Sequence, residues 1–135
     1  MTASARPVRV SALVVAGCLL LGVASAVAFV AQAKRDFAVS ARKYSYKITS
    51  GGSELADIHV QLDDMVAVTF SADDIAHSFT IADHYRIDRR AEPGKPVTIR
   101  FRADKAGTFD IRCTLTIDDR CLRDLKGRLV VEGKR

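Results

Sequence analysis

The sequence predicts an all-β Greek-key sandwich preceded by one N-terminal transmembrane helix. Three observations carry this. An uncharged run of 24 residues, Val10 to Ala33, stands near the start. Beyond it, short stretches alternate apolar and polar residues with period 2, the repeat of a half-buried strand. Turn-forming clusters then separate those stretches. At 135 residues the chain has room for one domain and an appendage. That excludes a multidomain enzyme, a TIM barrel or a dinucleotide-binding fold with its own substrate domain. A hydrophobic content of 48% also excludes a wholly disordered chain.

The apolar run comes first in the chain. At about 1.5 Å per residue, a helix of this length reaches about 36 Å, against a hydrocarbon core of about 30 Å. Arg6 and Arg9 precede it, which by the positive-inside rule keeps the N-terminus in the cytoplasm and exports the rest. Two other readings stay open. Ala24-Ser25-Ala26 and Ala31-Gln32-Ala33 have the small-x-small form of a signal-peptide cleavage site, and Val15-Ala16-Gly17-Cys18 resembles a lipobox. The run is longer than the ~7–15 residues of a signal h-region, and Leu19 to Leu21 follow Cys18 where polar residues belong, so an anchor is expected. The expected division is residues 1–33 as anchor and 34–135 as an extracytoplasmic domain. The membrane is then a partner through residues 10–33, with a single pass and the domain on the periplasmic side.

Strands are expected over Phe37–Ile48, Ala56–Leu62, Val66–Phe70, His77–Ala82, Val97–Phe101, Phe109–Cys113 and Arg128–Glu132. In the clearest of them Val97, Ile99 and Phe101 alternate with Thr98 and Arg100. In another, Phe109, Ile111 and Cys113 alternate with Asp110 and Arg112. Ser50-Gly51-Gly52-Ser53, Asp63-Asp64, Ala72-Asp73-Asp74, Glu92-Pro93-Gly94-Lys95-Pro96 and Lys105-Ala106-Gly107 are the turns between them. About seven short strands in about 100 residues is the pattern of a Greek-key sandwich.

Charge is divided along the chain. From Ile48 to Tyr85 there are seven acids and no Lys or Arg; from Arg86 to Arg135 there are fourteen bases against eight acids. The simple expectation is that the two halves mix their charges on folding. Exposed aromatics do not interleave with the bases, so no nucleic acid is expected as a partner. The Asp pairs sit at turn signals and match no calcium-loop spacing.

Four segments fall in a telling order: Asp74-Ile75-Ala76-His77-Ser78-Phe79, Pro93-Gly94, Gly107-Thr108-Phe109-Asp110-Ile111-Arg112-Cys113, and Gly127-Arg128-Leu129-Val130-Val131. Together they resemble the cupredoxins, most closely the copper domain of cytochrome c oxidase subunit II. The resemblance covers about Phe37 to Gly133. It implies a cupredoxin-like sandwich in which His77 matches the early histidine ligand and Cys113 the cysteine closing its strand. The other ligand positions depart. Ile117 stands for the second cysteine. Cys121 or, in a second alignment, Leu122 stands for the later histidine, and Asp124 or Leu125 for the methionine. The binuclear copper centre of that family is therefore not expected.

Three readings of the remaining residues stay open. Cys113 and Cys121, eight apart in an oxidising compartment, pair as a disulfide. Alternatively His77, Cys113 and Cys121 form a residual metal site, two thiolates and one imidazole suiting Cu(I) or Zn(II), with water or Asp124 as fourth ligand. Or the two thiols are inert core residues. A nucleophilic enzyme also needs an orienting group and an oxyanion hole, which nothing suggests, so no catalytic residue is expected. The expectation is a non-catalytic accessory or structural subunit of a membrane electron-transfer complex, respiratory or photosynthetic, with other subunits as partners and no cofactor. The alternative is a copper-binding electron carrier or copper chaperone with a divergent His/Cys site.

Overall fold

The computed structural model describes residues 32–133. The expected anchor lies outside them except for its last two residues. Among the described residues, no helix is long and apolar enough to cross a membrane. Ten strands and one short helix follow in order: β1 (Lys34–Arg42), β2 (Ser45–Ser50), β3 (Ser53–Leu55), β4 (Ile58–Gln61), β5 (Met65–Ala72), β6 (His77–Ile81), β7 (Ile87–Ala91), β8 (Val97–Arg102), β9 (Gly107–Arg112), α1 (Asp119–Asp124) and β10 (Lys126–Glu132).

The strands form two five-stranded sheets, ordered β3-β2-β1-β5-β8 and β4-β10-β9-β6-β7. β1 runs parallel to β5, and β4 parallel to β10, while their other neighbours are antiparallel. The alternation read from the sequence sets the inner faces. Val66, Val68 and Phe70 of β5 are buried against Phe109 and Ile111 of β9 and Leu129 and Val131 of β10 in one core. Phe70 and Phe79 bridge the sheets with ring centroids 5.7 Å apart.

Besides the short strand β3, which the sequence expectation did not include, three features depart from it. First, Phe37–Ile48 is not one strand but a hairpin, with Arg42 opposite Ser45 across a two-residue turn, Lys43-Tyr44. Neither residue signals a turn, and Tyr44 stands at φ 74°, in the left-handed region that costs a non-glycine residue roughly 1–2 kcal/mol. Second, β7 was hidden by Asp88, Arg89 and Arg90. It is an edge strand paired with β6 alone, where charge blunts an open edge. Third, α1 is six residues long, too short for a helical period to show. The glycine turns are as read: Gly51 and Gly52 both take positive φ between β2 and β3, the requirement of a tight hairpin.

The charges mix as expected. Arg102 meets Asp63 at 2.8 Å and Arg128 meets Asp57 at 3.1 Å, joining the basic half to the acidic half. These pairs are exposed, worth about 0–1 kcal/mol each. The register of β1 defines the two ends of the sandwich. At one end Lys34 lies beside Met65. At the other, Ala41 lies beside Ala72, and the Asp73 N–H donates to the Ala41 carbonyl.

Candidate functional site

The site occupies the Arg42 end of the sandwich. β6 begins with His77, and all five of its residues are buried. His77 and Phe79 follow the inward phase of the strand. Ser78 and Thr80 are covered instead by the chain leaving β9: the Thr114 N–H donates to Ser78 Oγ at 2.7 Å. Cys113 follows β9 directly, continues its inward phase and is 1% exposed. Eight residues on, α1 returns Cys121 to the same place. Asp118 starts that helix, its carboxylate accepting the Arg120 N–H at 2.9 Å in the manner of an N-cap.

Cys113 and Cys121 are joined by a disulfide, with Cα atoms 5.3 Å apart. The Ser78 N–H donates to the Cys113 sulfur at 3.4 Å. The ligand atoms of His77, Cys113 and Cys121 all lie within 4.8 Å of one another, so the three residues named from the sequence stand together. Asp124, the expected fourth ligand, is not part of it. Its carboxylate is held by Arg120 at 3.0 Å and Arg123 at 3.2 Å. The remaining imidazoles are elsewhere: His59 of β4 reaches Glu132 at the far end of β10, and His84 reaches Asp104 beyond β8.

Asp74, read from the sequence as a turn residue and as the start of the Asp-x-x-His segment but given no role at the site, organises this end. Its carboxylate accepts from the Lys43 N–H at 2.7 Å and the Ile75 N–H at 2.8 Å, and meets His77 Nε2 at 2.7 Å. Burial works to raise its pKa, but the hydrogen bonds from His77, Ile75 and Lys43 outweigh that and hold it below the ordinary carboxylate value. A carboxylate only accepts, so Nε2 is the ring nitrogen that donates to Asp74. Nδ1 is buried and has no hydrogen-bond partner. The Asp-x-x-His spacing was the signal that could have found Asp74.

Asp74→Ala is expected to cost about 2 kcal/mol, because two backbone donors and a buried imidazole lose their acceptor. Urea unfolding at pH 7 measures it. A carboxylate with lowered pKa stabilises fully above its unfolded value of about 4, and the contribution disappears as pH falls through the folded value. The gap between wild type and variant should therefore narrow as pH falls below that unfolded value.

The donor set can be tested against a copper ion. A copper that cycles between two oxidation states calls for a thiolate, two imidazoles and often a thioether. The described residues offer one imidazole and two sulfurs here, and Met65 lies at the opposite end of β5. They do not fit that centre. With the disulfide open they fit a soft monovalent ion, with Asp74 orienting His77 as an outer partner orients a metal-bound imidazole.

Comparison with known proteins agrees with this fold. Residues 19–131 match the family model described as a cupredoxin-like domain. Cytochrome c oxidase subunit 2 of Thermostichus vulcanus is 32% identical over 77 residues, which are 56% of this chain and 23% of that relative's length. The periplasmic domain of oxidase subunit II (CoxB) of Bradyrhizobium japonicum has the same fold, with TM-score 0.63 and 15% identity over 76% of this chain and 87% of that one. The mixed disulfide intermediate of a thioredoxin-like protein with subunit II of cytochrome c oxidase is similar too, at TM-score 0.63 and 16% identity over 76% and 84%. With its sandwich, its ordered motifs and a match over most of its length, the chain belongs to the cupredoxin-like family.

Proposed function

We propose that this chain is a non-catalytic accessory subunit of a membrane electron-transfer complex of the oxidase type. Residues 1–33 anchor it as a single pass in the cell membrane, and residues 34–135 stand on the periplasmic side. The observation that carries this reading is the Cys113–Cys121 disulfide, placed where the family gathers its later copper ligands. It staples the loop shut and leaves no second imidazole near His77. The relation to oxidase subunit II supports the class of assembly. The test is purification from native membranes in mild detergent. Migration with a larger assembly, a mass two hydrogens below the dithiol and no copper are expected. A protein that always runs alone would sink the reading.

A second reading is favoured by the orphaned Nδ1 of His77. When a dithiol such as that of a thioredoxin-like protein reduces the disulfide, His77, Cys113 and Cys121 take one Cu(I). The chain would then be a copper carrier or chaperone. This reading predicts one copper per reduced chain, lost on His77→Ala or Cys113→Ser and measured by elemental analysis. A reduced chain that binds no copper rules it out.

A further inference from the structure

The two-residue hairpin puts Tyr44 in the left-handed region, where glycine is the usual residue, and the core does not account for a tyrosine there. Tyr44 is only half-buried and takes no part in the hydrophobic cluster that includes its neighbour Tyr46. Strain of this kind persists where surrounding structure demands it, and it points to a role. The Tyr44 ring carries the Arg120 guanidinium, 3.3 Å from the ring centroid. Arg120 precedes Cys121 on α1, and its Nε donates to Asp124 at 3.0 Å, which fixes the guanidinium over the ring. On the other side of the turn, the Lys43 N–H holds Asp74, and Asp74 holds His77. One two-residue turn thus grips both halves of the site.

A six-residue helix does not hold itself in place. α1 is held by its Asp118 cap, the buried Leu125 after it, the disulfide, and Arg120 on Tyr44. Opening the disulfide removes the strongest of these. The cap, Leu125 and the tyrosine–arginine contact then remain, and the last of them ties α1 to the turn that also holds Asp74. We infer that Tyr44 is a positioning residue: through Arg120 it sets how readily the Cys113–Cys121 disulfide opens and closes. The inference rests on that disulfide, and it deepens both functional readings, since the same position governs the staple and the reduced site.

The test is an equilibrium between the full-length chain in mild detergent and dithiothreitol. The dithiol of dithiothreitol gives two electrons and two protons to the disulfide. It becomes a cyclic disulfide, and two cysteine thiols appear, which are counted by alkylation and mass. In Tyr44→Leu the equilibrium constant for reduction is expected to rise roughly fivefold, the scale of one cation–π contact at a partly exposed site. Tyr44→Phe keeps the ring and should stay within about twofold of wild type. Tyr44→Gly removes ring and strain together. Its melting temperature should not fall, yet its disulfide should open as readily as in Tyr44→Leu, an outcome a merely structural role would not give. Tyr44→Leu and Tyr44→Gly at the wild-type equilibrium would overturn the inference, as would Tyr44→Phe shifting as far as Tyr44→Leu. Three free thiols in the air-oxidised wild type, Cys113 and Cys121 beside Cys18, would instead overturn the disulfide itself.

Discussion

Phe70→Ala is expected to destabilise the protein by about 3–5 kcal/mol, seen as a lowered urea midpoint with little change in slope. Phe70 is completely buried and stands second from the edge of its sheet, on β5. Its ring meets Tyr46 of its own sheet edge-on at 6.2 Å and Phe79 of the other sheet at 5.7 Å. Removing it opens a cavity between rigid strands that cannot collapse to fill it. Domains of this size have about 5–15 kcal/mol in total, so this one ring is a large share of the margin. By contrast Leu55→Ala, on the exposed short strand β3, should stay within about 0.5 kcal/mol. Equal losses at the two positions would mean that the sheets do not meet through Phe70.

The second large effect concerns the disulfide. Its loop is short, with Cys113 and Cys121 eight residues apart. The chain-entropy model gives about 2.5 kcal/mol for such a loop. Cys121→Ala should cost about that much. Cys113→Ala should cost roughly 1 kcal/mol more, because the buried Ser78 N–H also loses its sulfur acceptor. Unfolding of both variants against reduced wild type separates the two contributions. Reduction alone should reproduce the loss in Cys121→Ala. If Cys113→Ala proves the milder of the two, the Ser78 contact carries no weight.

Much of this molecule could be read from its residues, and the rest was hidden for physical reasons. β5, β8 and β9 alternate strictly, because one face meets the core and the other meets water. They stand where the alternation put them. His77 and Cys113 were legible because motif and strand phase agree, and Cys121 because a second thiol eight residues from the first invites pairing. Tyr44 was not legible. Its turn breaks the local rule that such a position takes glycine, and the ring's contact lies on the distant Arg120. Asp74 looked like any turn aspartate, because its partner Lys43 lies 31 residues away in sequence. β7 carries the charges of an edge, which read as a loop. The failures thus cluster around the candidate site, where local preference yields to tertiary contact.

The parallel run of β1 beside β5 has a consequence of scale. β1 enters the sandwich at Lys34, directly after the apolar run, and ends at Arg42 next to the loop that holds Asp74 and His77. Nine extended residues span about 30 Å. The strand is therefore a ruler with the thiol pair near one tip and the chain's point of entry at the other. A protein that exchanges sulfur bonds or a metal ion with this pair must reach about 30 Å past that entry point. One lying flat around residue 33 would touch Met65 and Arg102 and never meet Cys121.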